Sequence, residues 1–197
     1  MFTRSSVMSK VVKPVVFVLL LLPALLLVAG LYFDTLGANP PEYILHSTGE
    51  WALRLVILTL LLSSLKRVFN WYRILQLRRM IGLFTFFYAS LHCLSYAWFE
   101  QGFSWYDIYN DVWQRPFITV GLTAFLCMIP LAVTSSNRMM RQMGRRWKRL
   151  HLLVYPTVIL GVVHFWWLVK ADITEPLIYA GLTAALFIER VWGKLIK

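Results

Sequence analysis

The chain has 197 residues, of which 59% are hydrophobic and only 15% charged, and it carries a formal net charge of +11. Water-soluble domains are usually nearer half apolar and a quarter charged, so this composition excludes an ordinary soluble fold and points to a polytopic membrane protein. The positive balance does not indicate nucleic acid, because Lys and Arg fall in the links between apolar runs, where they set orientation in a membrane.

The apolar residues come in runs long enough to cross a bilayer as helices. They predict an all-α, polytopic integral membrane bundle of six transmembrane helices in a single domain, 1–197. The spans read as 13–33, 45–65, 80–99, 115–134, 150–169 and 175–191. The first follows Lys10 and Lys13 but lacks a small-residue cleavage site, so it reads as a retained signal-anchor helix. Gly37-Ala38-Asn39-Pro40-Pro41 breaks the chain after it, and Arg115-Pro116 opens the fourth span with proline in a first turn. Pro23, Pro130 and Pro156 lie inside apolar runs, where kinks are expected and neighbouring helices must satisfy the freed carbonyls. Cys93 and Cys127 both fall inside apolar runs and read as packing residues. No internal repeat is evident.

Charge sets the orientation. Basic residues crowd the amino-terminal tail (Arg4, Lys10, Lys13), the second link (Lys66, Arg67, Arg73, Arg78, Arg79), the fourth link (Arg138, Arg141, Arg145, Arg146, Lys148, Arg149) and the carboxy terminus (Arg190, Lys194, Lys197). The opposite links carry Asp34, Glu42 and Glu50, then Glu100, Asp107 and Asp111, then Asp172 and Glu175, with only Arg115 and Lys170 as basic residues. Both termini are therefore expected in the cytoplasm. Trp98, Trp105, Trp113, Trp166 and Trp167 then fall in the outer aromatic belt.

Two of the four histidines, His151 and His164, stand in the fifth span, separated by roughly 20 Å of helix, one toward each membrane face. Ionisable side chains at membrane depth are expensive and are functional-site candidates. His92, in the outer half of the third span, matches the depth of His164. Two antiparallel helices presenting these rings can clamp a six-coordinate heme iron. A histidine hydrogen-bonded to a neighbouring helix is the simpler reading of either alone.

His151 has no histidine partner at its depth; Arg78 stands there, on the same side of the third span as His92. His151 and His164 lie about 140° apart on a straight helix, so a kink at Pro156 or unwinding near Gly161 is needed to aim both at one seam. His46, at the outer start of the second span, reads as an interfacial residue. Arg54, deeper in that span, wants a carboxylate, which Glu50 supplies one turn earlier; a heme propionate or a quinone oxygen are the functional alternatives.

The segments HSTGEWAL, LRRMIGL with Leu91-His92, RPFITVG, LAVTSS, GRRWKRLHLLVY, HFWW and PLIYAG together resemble the MsrQ (YedZ) family. This family comprises heme-binding membrane subunits of bacterial methionine sulfoxide reductase systems, within the ferric reductase and NADPH-oxidase transmembrane superfamily. The resemblance runs from about 40 to 181, with a heme-binding core at about 45–170. In the wider superfamily two spans each carry a pair of histidines and hold two stacked hemes; here the third span keeps only the outer member.

The resemblance implies heme b, one or two per chain, and an FMN, in the bacterial inner membrane. It implies electron transfer from the quinone pool or a cytoplasmic flavin reductase to a periplasmic molybdopterin enzyme, MsrP, which reduces methionine sulfoxide. His92 and His164 are the expected axial ligands of an outer heme. His151 is expected to ligate an inner heme or to anchor the flavin end, with Arg78 as a propionate partner. The chain itself has no GxGxxG after a strand and no nicotinamide-binding domain, so it reads as an electron-transfer subunit surrounded by lipid, with catalysis in its partner. The basic run 138–149 reads first as an orientation signal and second as a contact for FMN phosphate or an acidic donor. Rival readings are a ferric or oxygen reductase, a transporter using its histidines as proton relays, and a membrane scaffold.

Overall fold

The computed structural model describes residues 8–169 and 172–195, so Arg4, Lys170 and Lys197 of the charge pattern lie outside the described residues. Among the described residues every regular element is helical. The main helices are α1 (Lys13–Tyr32), α2 (Pro40–Phe69), α3 (Leu75–Ser95), α4 (Trp105–Gln114), α5 (Pro116–Val133), α6 (Asn137–Met143), α7 (Arg145–Leu150), α8 (Val154–Leu168) and α9 (Thr174–Leu195).

Four helical segments are long and apolar enough to cross a membrane: Lys10–Tyr32, Tyr72–Glu100, Pro116–Val133 and Arg145–Leu168. The other two expected spans, α2 and α9, carry charges along their length, and the structure gives those charges partners. Arg54 Nη2 reaches Glu50 Oε2 at 2.8 Å, and its Nε donates to Tyr179 Oη at 2.9 Å. The carboxylate predicted for Arg54 is therefore the one it takes. Arg67 clasps Glu189 through Nε and Nη2 at 3.1 and 3.0 Å. Arg190, only 6% exposed, gives Nη2 to the carbonyl of Leu60 at 2.8 Å and lies over the Tyr155 ring at 5.0 Å. Most of these contacts tie α2 to α9, so the charges that interrupt the apolar runs also fasten one helix to the other.

α2 is the spine of the bundle. One face packs Ala52, Leu55 and Leu62 against Ile81, Phe84, Tyr88 and Ala89 of α3 and Leu20 of α1. Another packs Leu53, Val56, Ile57 and Leu60 against Val158 and Val162 of α8, with Tyr179 and Phe187 of α9 at the edge. The closest helix pairings are α2 with α3 and α5 with α8. α3 and α8, expected to be antiparallel, run in the same direction. Each is the returning helix of its own hairpin, and the amino-terminal ends of both border one cavity.

Local chemistry sets the helix ends. Asn39 caps α2, accepting from Glu42 N, with prolines in the first turn; Ser104 caps α4 and Ser136 caps α6. Gly144, at φ +52°, makes the break between α6 and α7. At Pro23 a neighbouring helix supplies a bond one residue beyond Leu19 C=O, the carbonyl that the proline frees: the Tyr88 hydroxyl accepts from Ala24 N–H at 3.1 Å and donates to Leu20 C=O at 2.7 Å. It inserts into the α1 ladder beside the proline. In the fifth expected span the distortion falls at His151–Leu153, a tight 3-10 turn between α7 and α8, not near Gly161. Pro156 has no N–H to give Leu152 and its ring crowds that carbonyl, so the turn before it is rewound.

Two elements were not foreseen. α4 is an amphipathic helix carrying exposed Trp105, Tyr106, Tyr109 and Trp113. Its Asp111 gathers Arg115, Gln101 and the Tyr96 hydroxyl into one polar knot. α6 is the short helix that turns the chain between α5 and α7.

Candidate cofactor site

His92 on α3 and His164 on α8 come together across the helix gap, with ring centres 6.1 Å apart and planes nearly perpendicular at 78°. Each ring is held the same way. Nδ1 of His92 lies 2.9 Å from the carbonyl of Leu45, and Nδ1 of His164 lies 2.7 Å from the carbonyl of Phe117. A carbonyl only accepts, so each Nδ1 carries the proton, and each neutral ring is the Nδ1–H tautomer with its lone pair on Nε2. Such a bond from the non-ligating nitrogen is how proteins orient metal-binding imidazoles and raise their basicity.

The spacing suits one metal between them. Two metal–imidazole bonds of about 2 Å, with the half-width of each ring added, place ring centres roughly 6 Å apart. Among the described residues there is no group of three or more His, Cys, Asp or Glu that could cage an ion. Two histidines alone suit a metal whose other ligands come from its own macrocycle. The residues thus fit a bis-imidazole heme.

His151 does not join this pair. Its Nε2 lies 3.0 Å from Thr134 Oγ1, and that hydroxyl spends its only proton on Pro130 C=O at 2.6 Å. The threonine must therefore accept, and His151 Nε2 must donate. The ring also stacks on Trp147 with centres 3.9 Å apart, and Trp147 Nε1 donates to Thr134 C=O at 2.9 Å. His151 is held by the opposite nitrogen from the other two histidines.

It borders a cavity of about 660 Å³ between α3, α5 and the α7–α8 turn, within the roughly 300–1,000 Å³ range of small-molecule and cofactor sites. Arg78 and Arg79 line it, as do Lys13, Trp147 and Thr157, and no carboxylate does so among the described residues. Its field favours an anionic, flat guest. Phe86, on its wall, stacks on Phe125 at 5.6 Å and 6° on the side toward the histidine pair. The structure thus brings His92 to His164 and Arg78 to the cavity of His151, while exposed His46 belongs to neither.

The two histidine arrangements are copies. Leu45, His92 and the intervening Gly49 correspond, residue for residue, to Phe117, His164 and Gly121, each 72 positions later. At the same offset, buried Ala52 matches buried Ala124, and Thr85 matches Thr157, both buried and both bonded back to the carbonyl four residues earlier. The hairpins α2–α3 and α5–α8 are thus parallel structural repeats, correcting the expectation of no repeat. Few identities mark it in sequence, because lipid-facing positions accept any apolar side chain.

The chain is similar over residues 48–162 to the family described as ferric reductase like transmembrane component. It is 49% identical over 162 residues to the protein-methionine-sulfoxide reductase heme-binding subunit MsrQ of Xanthomonas campestris pv. campestris (strain B100), covering 82% of this chain and 74% of that one. It is 48% identical over 182 residues to the subunit of the same name from Azospira oryzae, covering 91% and 78%. Identity to that of Xanthomonas axonopodis pv. citri (strain 306) is 47% over 162 residues, covering 82% and 74%. No solved structure matches the chain.

Proposed function

Because this chain belongs to the ferric-reductase-like transmembrane family and, within it, to the MsrQ heme-binding subunits, we propose that it is the membrane cytochrome of a methionine sulfoxide reductase system. It binds heme b between His92 and His164 in the bacterial inner membrane and passes electrons outward to a periplasmic reductase of the MsrP type. The observation that carries this reading is the facing pair of imidazoles at 6.1 Å, each with Nδ1 turned to a backbone carbonyl.

The bound heme supplies the one-electron chemistry. The protein's share is to hold both rings as neutral donors, exclude water from the pair and fix its distance from the cavity. That cavity is the entry end, receiving FMN or a quinone from the cytoplasmic side. Arg78 supplies its anion-pairing group, and His151 with Trp147 supplies a rigid aromatic wall. The donor is a quinone or a cytoplasmic flavin reductase, since no nicotinamide-binding fold is present among the described residues.

The test is the absorption spectrum of the purified protein. Wild type should carry a low-spin heme, and His92→Ala or His164→Ala should each abolish that spectrum. A full low-spin spectrum in both variants, or a colourless, folded wild type, overturns the assignment.

A further inference from the structure

We infer that Gly49 and Gly121 are positioning residues for the two imidazoles, forming with the carbonyl one turn earlier a paired seat that sets the tautomer and tilt of each ring. This rests on the reading of His92 and His164 as heme ligands. The seats lie on the partner helix of each hairpin. Gly49 follows Leu45 by one turn on α2, and Gly121 follows Phe117 by one turn on α5. The histidine from the returning helix lies across that turn.

A Cβ at Gly49 would sit 3.0 Å from His92 Nδ1 and 3.1 Å from its Cε1. One at Gly121 would sit 2.8 Å from both Nδ1 and Cε1 of His164. These are the atoms at and beside the proton that bonds the carbonyl, so any side chain here displaces the edge of the ring that fixes its orientation. The ring cannot yield easily: moved away, it loses a 2.9 or 2.7 Å bond to a carbonyl.

Glycine in a helix interior weakens the helix, so its presence at equivalent points of both hairpins calls for a local reason. Other glycines of the bundle differ: at Gly181 a Cβ meets nothing within 4 Å, at Gly82 only a Thr59 methyl at 3.8 Å, at Gly161 Leu53 Cδ1 at 3.5 Å, and at Gly30 the flexible Leu36 side chain. At both glycines the atoms a Cβ would meet all belong to an imidazole and none to the neighbouring helix backbone, which separates the feature from ordinary close helix packing. There, glycine admits a neighbouring helix backbone; here it admits one imidazole edge.

The experiment compares Gly49→Ala, Gly121→Ala and the control Gly181→Ala in the full chain purified in detergent. Three readouts are taken: heme per polypeptide, the low-temperature EPR g-values of the ferric protein, and thermal unfolding of the heme-depleted protein. The expected result is a shifted or lost low-spin EPR signal in both seat variants, larger for Gly121→Ala, whose contact is shorter. Gly181→Ala should match wild type, and the heme-depleted seat variants should unfold no earlier than heme-depleted wild type, since alanine strengthens a helix.

Seat variants with wild-type heme content and g-values, in a wild type that does carry the low-spin signal, overturn the inference and leave the heme assignment standing. Early unfolding of the heme-depleted seat variants also overturns it, assigning the glycines to helix packing. If either alanine variant does not accumulate, Gly→Ser at the same position is compared for heme content in native membranes. A wild-type low-spin signal there overturns the inference. A wild type without heme fails the proposed function itself.

Discussion

At the scale of single residues, the three intramembrane histidines differ in which nitrogen the protein holds. His92 and His164 donate from Nδ1 and leave Nε2 free for a metal, whereas His151 donates from Nε2 to Thr134. A metal at His151 Nε2 would first have to displace that bond and break a ring stack of 3.9 Å. His151→Ala is therefore expected to leave heme per polypeptide unchanged by pyridine hemochrome, while slowing reduction of the heme by flavin or quinone donors. A stoichiometry near two in wild type that falls to one in the variant would make His151 a ligand of an inner heme. Sequence reading singled out all three histidines by their depth and residue type. It missed Thr134, Gly49 and Gly121, because a threonine at a span end and a glycine within one are common in membrane helices and acquire meaning only from what lies across the helix gap.

At the scale of elements, α1 is the least engaged of the membrane-length helices. Leu19, Leu25, Leu26 and Val28 are exposed, and its docking rests on Leu20, on Phe17 against Phe84 and on the Tyr88 hydroxyl. That hydroxyl joins a proline-weakened turn of α1 to a fully buried ring of α3. Polar contacts between membrane helices contribute about 0.6 kcal/mol on average and up to roughly 1.7 kcal/mol. Tyr88→Phe should thus lower stability by about 1 kcal/mol in a detergent or bicelle unfolding assay. Tyr88→Ala, which also empties the core of a ring, should cost about 3–5 kcal/mol. A Tyr88→Phe protein as stable as wild type would mean that Ala24 N–H closes directly onto Leu20 C=O. Element positions were largely legible from hydropathy, since α1, α5 and α9 begin and end within a few residues of the apolar runs that predicted them. Helix α4 was not legible, because its ten residues are too short and too polar for a span and its aromatic stripe reads equally as membrane boundary.

At the scale of the whole molecule, charge pattern and architecture make a joint statement about α2. By composition this helix is the least suited of the long ones to a membrane, with Glu50 and Arg54 in its interior turns, yet it is the spine to which α1, α3, α8 and α9 all pack. A helix central to the bundle has lipid-exposed neighbours on several sides, so its charges meet protein groups instead of hydrocarbon. Glu50 and Tyr179 take Arg54, and Glu189 takes Arg67. This argues that α2 crosses, as does α9, which supplies Tyr179 and Glu189. The expected topology is then six spans with both ends on the basic, cytoplasmic side. Alkaline phosphatase, active only outside the cytoplasm, decides it. Fusions ending after Gly37, Gly102 or Asp172 should be active, and fusions ending after Asn70, Gly144 or Gly193 should be silent. The pairs that matter are Gly37 with Asn70, and Asp172 with Gly193, because each brackets one of the two charged helices. Equal activity within either pair would place that helix on the membrane surface, and for α2 it would also remove the Leu45 carbonyl that orients His92 from the membrane interior.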